Sequence, residues 1–576
     1  MRTKPIFLER MARLSPLGTL LAIALTSSCV AADALQEAPE FKWVAAGRPD
    51  GGQNNEAWAL ATDGAGDTYL AGDFCGSKMT FGDRVLSNAI PRMMGGPIYV
   101  VKYDPNGRVL WAKQSAASNS ASVGICVAPH EGGVFLAGCI SSTNLTFGGT
   151  TVTNNGHGNQ FVARLTATGA VSWLKLCGGD GELIIGGAED ASDDLYVTGF
   201  LQSTNATFGA WRLSNSQTNG HDFFLAKYDG TGKVLWAKAI KAAANPQPAW
   251  HLGADSAGNC YATGDFRGVC DVGNGVTVTN SSWDGTLHTF LAKFDPAGKA
   301  LWVREAASGA WNTPWRIAVD AKGNCYLAGA FNGYSIQFKR YVMMGLQTNE
   351  VFAAKFDSDG KPLWANRFGS GLDEYPQCMA VDSQGSCYLV VTWMSIVFAE
   401  NGHVFPDGAV DHRLYQFPKN NDVIIKYRPD GSLVWTKYLK EVNPGNLSVI
   451  APDNFGNLHL AGTFWKDNSP VLKLDSLAVT NTDMSGSEVV VAEIGTNTPL
   501  SELSEKPRQS SPVDPFKLQA IFLGLNPSAL IGGRSVGVGD RVGDYKVASI
   551  AAETVTLKSA GGKSKVLALG DDRVTR

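Results

Sequence analysis

Apolar and polar positions along this chain fall into short alternating runs separated by turn signals, and the runs recur. The clearest copies are WALATDGAGDTYLAGDF (58–74), WHLGADSAGNCYATGDF (250–266) and WRIAVDAKGNCYLAGAF (315–331). Alternation over four to eight residues, bounded by Gly and Asp, predicts half-buried strands. The D-x-x-G-N turn between them has a mechanism. Asp320 can cap the turn with its own side chain, and Gly323 accepts positive φ at low cost. Each pair of runs therefore predicts a hairpin. A variable stretch follows, often holding Thr-Phe-Gly (80–82, 146–148, 207–209), and is expected to be a long loop. Then come an alternating strand such as FFLAKYD (223–229) or TFLAKFD (289–295), a second D-x-x-G turn, and a strand carrying a tryptophan.

The tryptophan sets the period. Trp111, Trp173, Trp236, Trp302, Trp364 and Trp435 each close a phrase such as KYDGTGKVLWAK, and Trp43 stands in a truncated copy, FKWVAAG. Successive copies lie 62 to 71 residues apart, so one supersecondary unit is repeated around an array. Four antiparallel strands per unit describe a propeller blade. The last unit, from about Asn446 to Ile494, lacks a tryptophan strand, whereas the first piece of the chain is a tryptophan strand without a unit. The expected fold is all-β: a seven-bladed β-propeller over 41–495, closed by the N-terminal strand. The phrases AVDAKGNCYLAG and FLAKYDGTGKVLWAK resemble the bacterial seven-bladed β-propeller repeat family. That resemblance implies an exported or surface-associated protein used mainly for binding.

Composition narrows the function classes. Gly is 65 of 576 residues, above the usual share of about 7% and suited to many tight turns. Lys+Arg 49 against Asp+Glu 53 leaves no basic footprint for nucleic acid. At the N-terminus, Arg2, Lys4, Arg10 and Arg13 precede the short apolar run Leu17 to Leu25 and the small residues Val30-Ala31-Ala32. This predicts a signal peptide over 1–34 and export to the periplasm, the outer-membrane surface or the medium. LTSSC loosely fits a lipoprotein cleavage box, making Cys29 a possible lipid anchor. No later apolar run reaches about 18 residues, so no transmembrane span is expected after signal removal. Cys260, Cys325 and Cys387 occupy one repeat position, which argues for a small buried side chain. No CxxC pair occurs, and no disulfide is expected at Cys260–Cys270 or Cys126–Cys139.

Residues 496–515 read as a linker by their Ser, Pro and charge content. From 516 to 572 five short apolar runs predict a small β-barrel-like domain. The order PSALIGGRSVGVGDRVGDYKVASIAAETVTLKSAGGKSKVLAL resembles the homology region of type II secretion and pilus-assembly components. The matching residues are Gly539-Asp540, Tyr545 to Ile550, Val555 to Leu557, Gly561-Gly562 and Leu567 to Leu569. The resemblance implies docking of this module onto a secretion or pilus component; the chain departs from that family in carrying a propeller.

Candidate chemistry is sparse. Trp58, Trp250 and Trp315 are repeat-equivalent and start the strand nearest a propeller channel, with His251 and Arg316 beside two of them. An aromatic and polar mouth of this kind can stack on a sugar or hold a peptide. Against this, Trp315 shares the parity of Ile317 and Val319, the face expected to pack on the next blade. The seven phrase tryptophans are expected to pack between blades. D-x-x-G-K-x-x-W (Asp229, Gly232, Lys233, Trp236) is also similar to the docking phrase of quinoprotein dehydrogenases. Those have one more residue between Asp and Gly, and many carry a Cys-Cys pair, absent here. The Asp-rich turns (Asp63 with Asp67; Asp190 with Asp193 and Asp194) lack the 12-residue loop of a calcium site. No metal site, cofactor or catalytic residue is assigned. The sequence points to a non-catalytic binding or scaffold protein with a protein or glycan ligand. The alternative is a channel-mouth enzyme, quinoprotein-like or carbohydrate-active.

Overall fold

A computed structural model of the chain describes residues 38–495 and 518–568, apart from short stretches including 51–54, 128–132, 243–250, 369–373, 405–409 and 440–446. The expected signal peptide, Cys29, Trp250 and the linker lie outside the described residues. Every regular element among the described residues is a β-strand. Two compact units emerge, one within 36–508 and one within 509–576.

The larger unit is a propeller-like array of antiparallel sheets, each with four strands of one repeat in chain order. The first holds Glu56–Thr62, Thr68–Asp73, Ile98–Tyr103 and Val109–Gln114. Five more follow the same plan, down to Glu374–Val381, Cys387–Trp393, Asn421–Tyr427 and Leu433–Leu439. In a seventh sheet, Leu447–Pro452, Leu458–Trp465 and Ser487–Ile494 are joined by Phe41–Pro49 from the other end of the unit, Trp43 opposite Glu493. The first strands of successive sheets pack on one another, and the first strand of the seventh packs on that of the first. Apolar side chains alternate onto both faces of each sheet, so the core is a series of inter-sheet layers. One layer joins Ala461 and Val489 of the seventh sheet to Leu70, Tyr99 and Phe81 of the first unit.

The stretches expected to be long loops are instead short hairpins. Lys78–Phe81 pairs with Arg84–Ser87, Asn144–Phe147 with Thr150–Thr153, and Ala206–Phe208 with Trp211–Leu213. The Thr-Phe-Gly motif explains them. Phe81, Phe147 and Phe208 are buried, and Gly82, Gly148 and Gly209 turn the chain at positive φ. Each hairpin also reaches the previous sheet. Gly47 to Pro49 pair with Phe81 to Met79, Ser115 bridges Phe147, and Gly178 bridges Thr207.

The smaller unit contains a three-stranded sheet (Leu518–Phe522, Ser528–Ile531, Arg534–Gly537) and a four-stranded one (Arg541–Val542, Tyr545–Ile550, Thr554–Ser559, Ser564–Ala568). Arg534–Gly537 is a strand that the apolar runs did not mark. Val542, Val547, Val555, Leu557 and Leu567 form the core of the four-stranded sheet.

Candidate functional site

Several repeats build their joints from the same three kinds of side chain, although the second has Pro129, Phe135 and Arg164 in those places. The turn aspartate caps its own loop: Asp320 Oδ1 accepts from the backbone N–H of Lys322 (3.0 Å) and Asn324 (2.9 Å), with Gly323 at φ 79°. The tyrosine six residues on donates to the other oxygen, as in Tyr196 to Asp190 (3.0 Å) and Tyr261 to Asp255 (3.0 Å). A third-strand lysine completes the joint. Lys227 lies 2.9 Å from both Asp190 and Asp194, and Lys102 is 3.3 Å from Asp63 and 2.7 Å from Asp67. The Asp-rich turns are thus neutralised internally. In the seventh sheet, His459 replaces the tyrosine, bonded to Asp453 at 3.3 Å, and Glu493 replaces the lysine.

The phrase tryptophans tie each sheet to the next. Trp111 Nε1 donates to Ala167 O (2.9 Å), Trp173 to Gly230 O (2.9 Å), Trp236 to Pro296 O (3.0 Å) and Trp364 to Pro429 O (3.1 Å). Trp302 and Trp435 are buried and make no such bond among the described residues. Trp43 donates across the chain ends, to Glu493 (2.7 Å) and to Pro105 O of the first sheet (3.2 Å). The turn glycine of the following sheet is the seat. A Cβ on Gly232 would stand 2.7 Å from the Trp173 ring, and one on Gly107 2.5 Å from Trp43.

The candidate mouth residues sit on a repeated irregularity. Ala57 pairs with Gly72 and Ala59 with Ala71, so Trp58 is the extra residue of a β-bulge. Trp315 is the extra residue between Pro314 and Arg316, and Gln377 and Ser448 hold the same place in the sixth and seventh sheets. A bulge re-aims its side chain. Strand parity therefore cannot be counted through it: Ile317 is buried while Trp315 is half-buried, lying against Tyr375 of the next sheet with centroids 5.4 Å apart. Arg316 donates to Trp315 O at 2.9 Å. Burial lowers the Arg316 guanidinium from its ordinary value. Burial, then the charge of Arg316, holds the His251 imidazole well below its ordinary value. His251 is thus neutral at physiological pH.

Trp58 differs from Trp315: 46% of it is exposed, while its Nε1 donates to Asp73 Oδ1 at 2.5 Å. Asp73 is directly opposite Glu56 on the neighbouring strand. Glu56 accepts from Thr463 of the seventh sheet at 3.0 Å. Burial, only partly offset by the Trp58 bond and reinforced by the Glu56 charge, pushes the Asp73 carboxyl up to about 7. Burial likewise raises Glu56. The structure therefore brings Trp58 together with Glu56, Asp73 and Thr463, and separately His251 with Arg316 and Trp315. Glu56, Asp73 and Thr463 were not singled out in the sequence. The signal for Asp73 is an acid in the second strand (GDF), repeated at Asp265, where other repeats carry Phe200, Ala330 or Thr392.

No protein-family model matches the chain. An uncharacterised WD repeat-containing protein of Acanthamoeba polyphaga mimivirus is 22% identical over 404 residues, 58% of this chain and 29% of that protein. The chain thus spans less than a third of that relative's length. Among solved structures, a streptogramin B lyase aligns with TM-score 0.38 and 9% identity, over 80% of this chain and all of that one. A family PL25 ulvan lyase aligns at 0.37 and 10%, over 76% of this chain and 96% of that one. The phage phi92 endosialidase aligns at 0.34 and 12%, over 93% and 80%.

Proposed function

We propose that residues 41–495 form a seven-bladed propeller, its ring completed by Phe41–Pro49, that binds a glycan at the channel mouth with Trp58 as the main contact. The pairing of Phe41–Pro49 in the seventh sheet and the Trp43 bond to Pro105 O support the ring. One observation carries the function. Trp58 is a large exposed ring on a bulge, and its only donor is already engaged by Asp73. The indole face is thus held in place and offered without an unsatisfied polar group, as a stacking platform requires. In this reading the chain is exported through 1–34, with Cys29 as a lipid anchor in the lipidated form. Residues 516–572 dock onto a secretion or pilus component in the cell envelope.

Binding of the purified chain to a glycan panel, followed by calorimetry on the best binder, tests the mouth. Trp58→Ala should weaken the mouth ligand by about tenfold or more, as removal of an aromatic anchor does, whereas Trp58→Phe should keep most of it. Equal affinity in all three proteins would sink the reading. For the tail, pull-downs from envelope extract by the full chain and by a chain ending at residue 496 should differ in captured secretion or pilus subunits. A second reading, a carbohydrate-active enzyme, is favoured by Asp73, an acid whose carboxyl sits near neutrality beside a second carboxyl. Turnover of a polysaccharide that disappears in Asp73→Asn would select it over pure binding.

A further inference from the structure

The side chain two residues after each phrase tryptophan is Lys113, Lys175, Lys238, Arg304, Asn366 and Lys437 in the six internal copies. Where its contacts are seen, it covers the joint to the next sheet. Lys175 Nζ donates to Gly232 O at 2.6 Å and Asn366 Nδ2 to Gly431 O at 3.1 Å. Lys113 and Arg304 lie over Gly169 and Gly360 in the same way, their chains 3.1 Å from where a Cβ would stand. In the strand formed by Phe41–Pro49 this residue is Ala45.

The truncation leaves a hole. Ala45 and Gly107 line an open cavity of about 780 Å³ between the outer strands of the seventh and first sheets. That volume is within the usual range for a small-ligand pocket. The Gly107 carbonyl, counterpart of the acceptors Gly232 and Gly431, receives no hydrogen bond among the described residues. Ala45 and Val109, which share one apolar layer, give an apolar floor, and Arg48, Arg84 and Arg108 also line the cavity. Arg48 makes no ion pair among the described residues. Arg84 and Arg108 are held only by Asp83 (3.3 Å) and Asp104 (3.2 Å) on exposed surface, where such pairs are weak and exchangeable.

From this juxtaposition we infer that the cavity at Ala45 is a second binding site, for a carboxylated saccharide such as a uronic acid oligomer. A sugar hydroxyl donates to the Gly107 carbonyl, the carboxylate meets the arginines, and the apolar face of the ring lies on Ala45 and Val109. This site is separate from Trp58 and does not depend on the mouth reading.

Calorimetry with trigalacturonate as the probe, against maltotriose and inorganic sulfate, tests it. The full chain should bind trigalacturonate saturably and neither control comparably. Ala45→Lys restores the side chain found at four equivalent positions, so it should fold with an unchanged or higher Tm and lose at least tenfold in affinity. Arg48→Ala should weaken the site several-fold and steepen no salt dependence, while Trp58→Ala should leave it as it is. No binding by the full chain, equal binding by Ala45→Lys, or equal affinity for maltotriose would overturn the proposal. Sulfate binding as tight as trigalacturonate would overturn the saccharide assignment in favour of a bare anion site.

Discussion

Asp73 is an acid in a strand otherwise given to apolar packing, and its titration should be visible in stability. Its carboxyl lies near 7 in the fold against an ordinary value of 3.8, because burial disfavours the charge. The folded chain therefore holds a proton that the unfolded chain has released between those values. Stability contributed at this site is present below about pH 4 and declines as pH rises towards 7. Asp73→Asn keeps an acceptor for Trp58 and removes the penalty. It should stabilise the protein at pH 8, by on the order of 1–3 kcal/mol at one unit per ~1.4 kcal/mol after relaxation, and have little effect at pH 4. Thermal melts of both proteins at the two pH values check this; parallel pH dependence would refute it. Little of this site was legible in the sequence. Trp58 stood out by repeat position and Glu56 faces Asp73 across a local hairpin, but Thr463 joins them only because residues some 400 apart in the chain are packed together, a juxtaposition no local pattern encodes.

At the scale of the element, the joint between sheets is an indole on a glycine. The left-handed turn needs glycine for its backbone, and the tryptophan of the preceding sheet needs it for space. The two requirements can be separated. Gly149 has φ 82° with nothing within 4 Å of a Cβ, whereas Gly232 has φ 77° and the Trp173 ring at 2.7 Å. Gly149→Ala should cost about 1–2 kcal/mol, the left-handed backbone penalty alone. Gly232→Ala should cost roughly 1–3 kcal/mol more from overpacking. Denaturant melts of the pair measure the difference, and equal losses would mean the seat adds nothing. These joints were readable because six copies repeat both partners in register. The Thr-Phe-Gly hairpins were not, since their strands are only three or four residues long and the flanking residues differ between repeats. The short Thr-Phe-Gly motif, with its buried Phe81, Phe147 and Phe208, was the shared signal.

At the scale of the whole molecule, the seventh sheet depends on residues from both ends of the larger unit. Asn55 and Ser487 reinforce the junction with buried hydrogen bonds of 2.9 Å and 3.0 Å across 432 positions. Deleting 1–49 should leave Ser487–Ile494 paired only with Leu458–Trp465, expose its other side as a sheet edge, lower Tm by many degrees and promote association through that edge. A synthetic peptide spanning 38–50 added in trans should restore part of the loss; a deletion protein as stable and monodisperse as the full chain would refute this. The pairing was foreseeable from a lone tryptophan phrase at one end and a missing one at the other.

The tryptophan–glycine joint is nearly the same wherever it occurs, and this bears on how such a chain can change over generations. Removing or duplicating one internal copy in frame brings together two faces that already match, so chain length can alter by whole modules without redesign of any interface. The junction of the two ends is different. His459 bonds Thr68 of the first sheet and Glu493 accepts from Trp43, pairings that no internal joint repeats, so this seam is inherited as a single part.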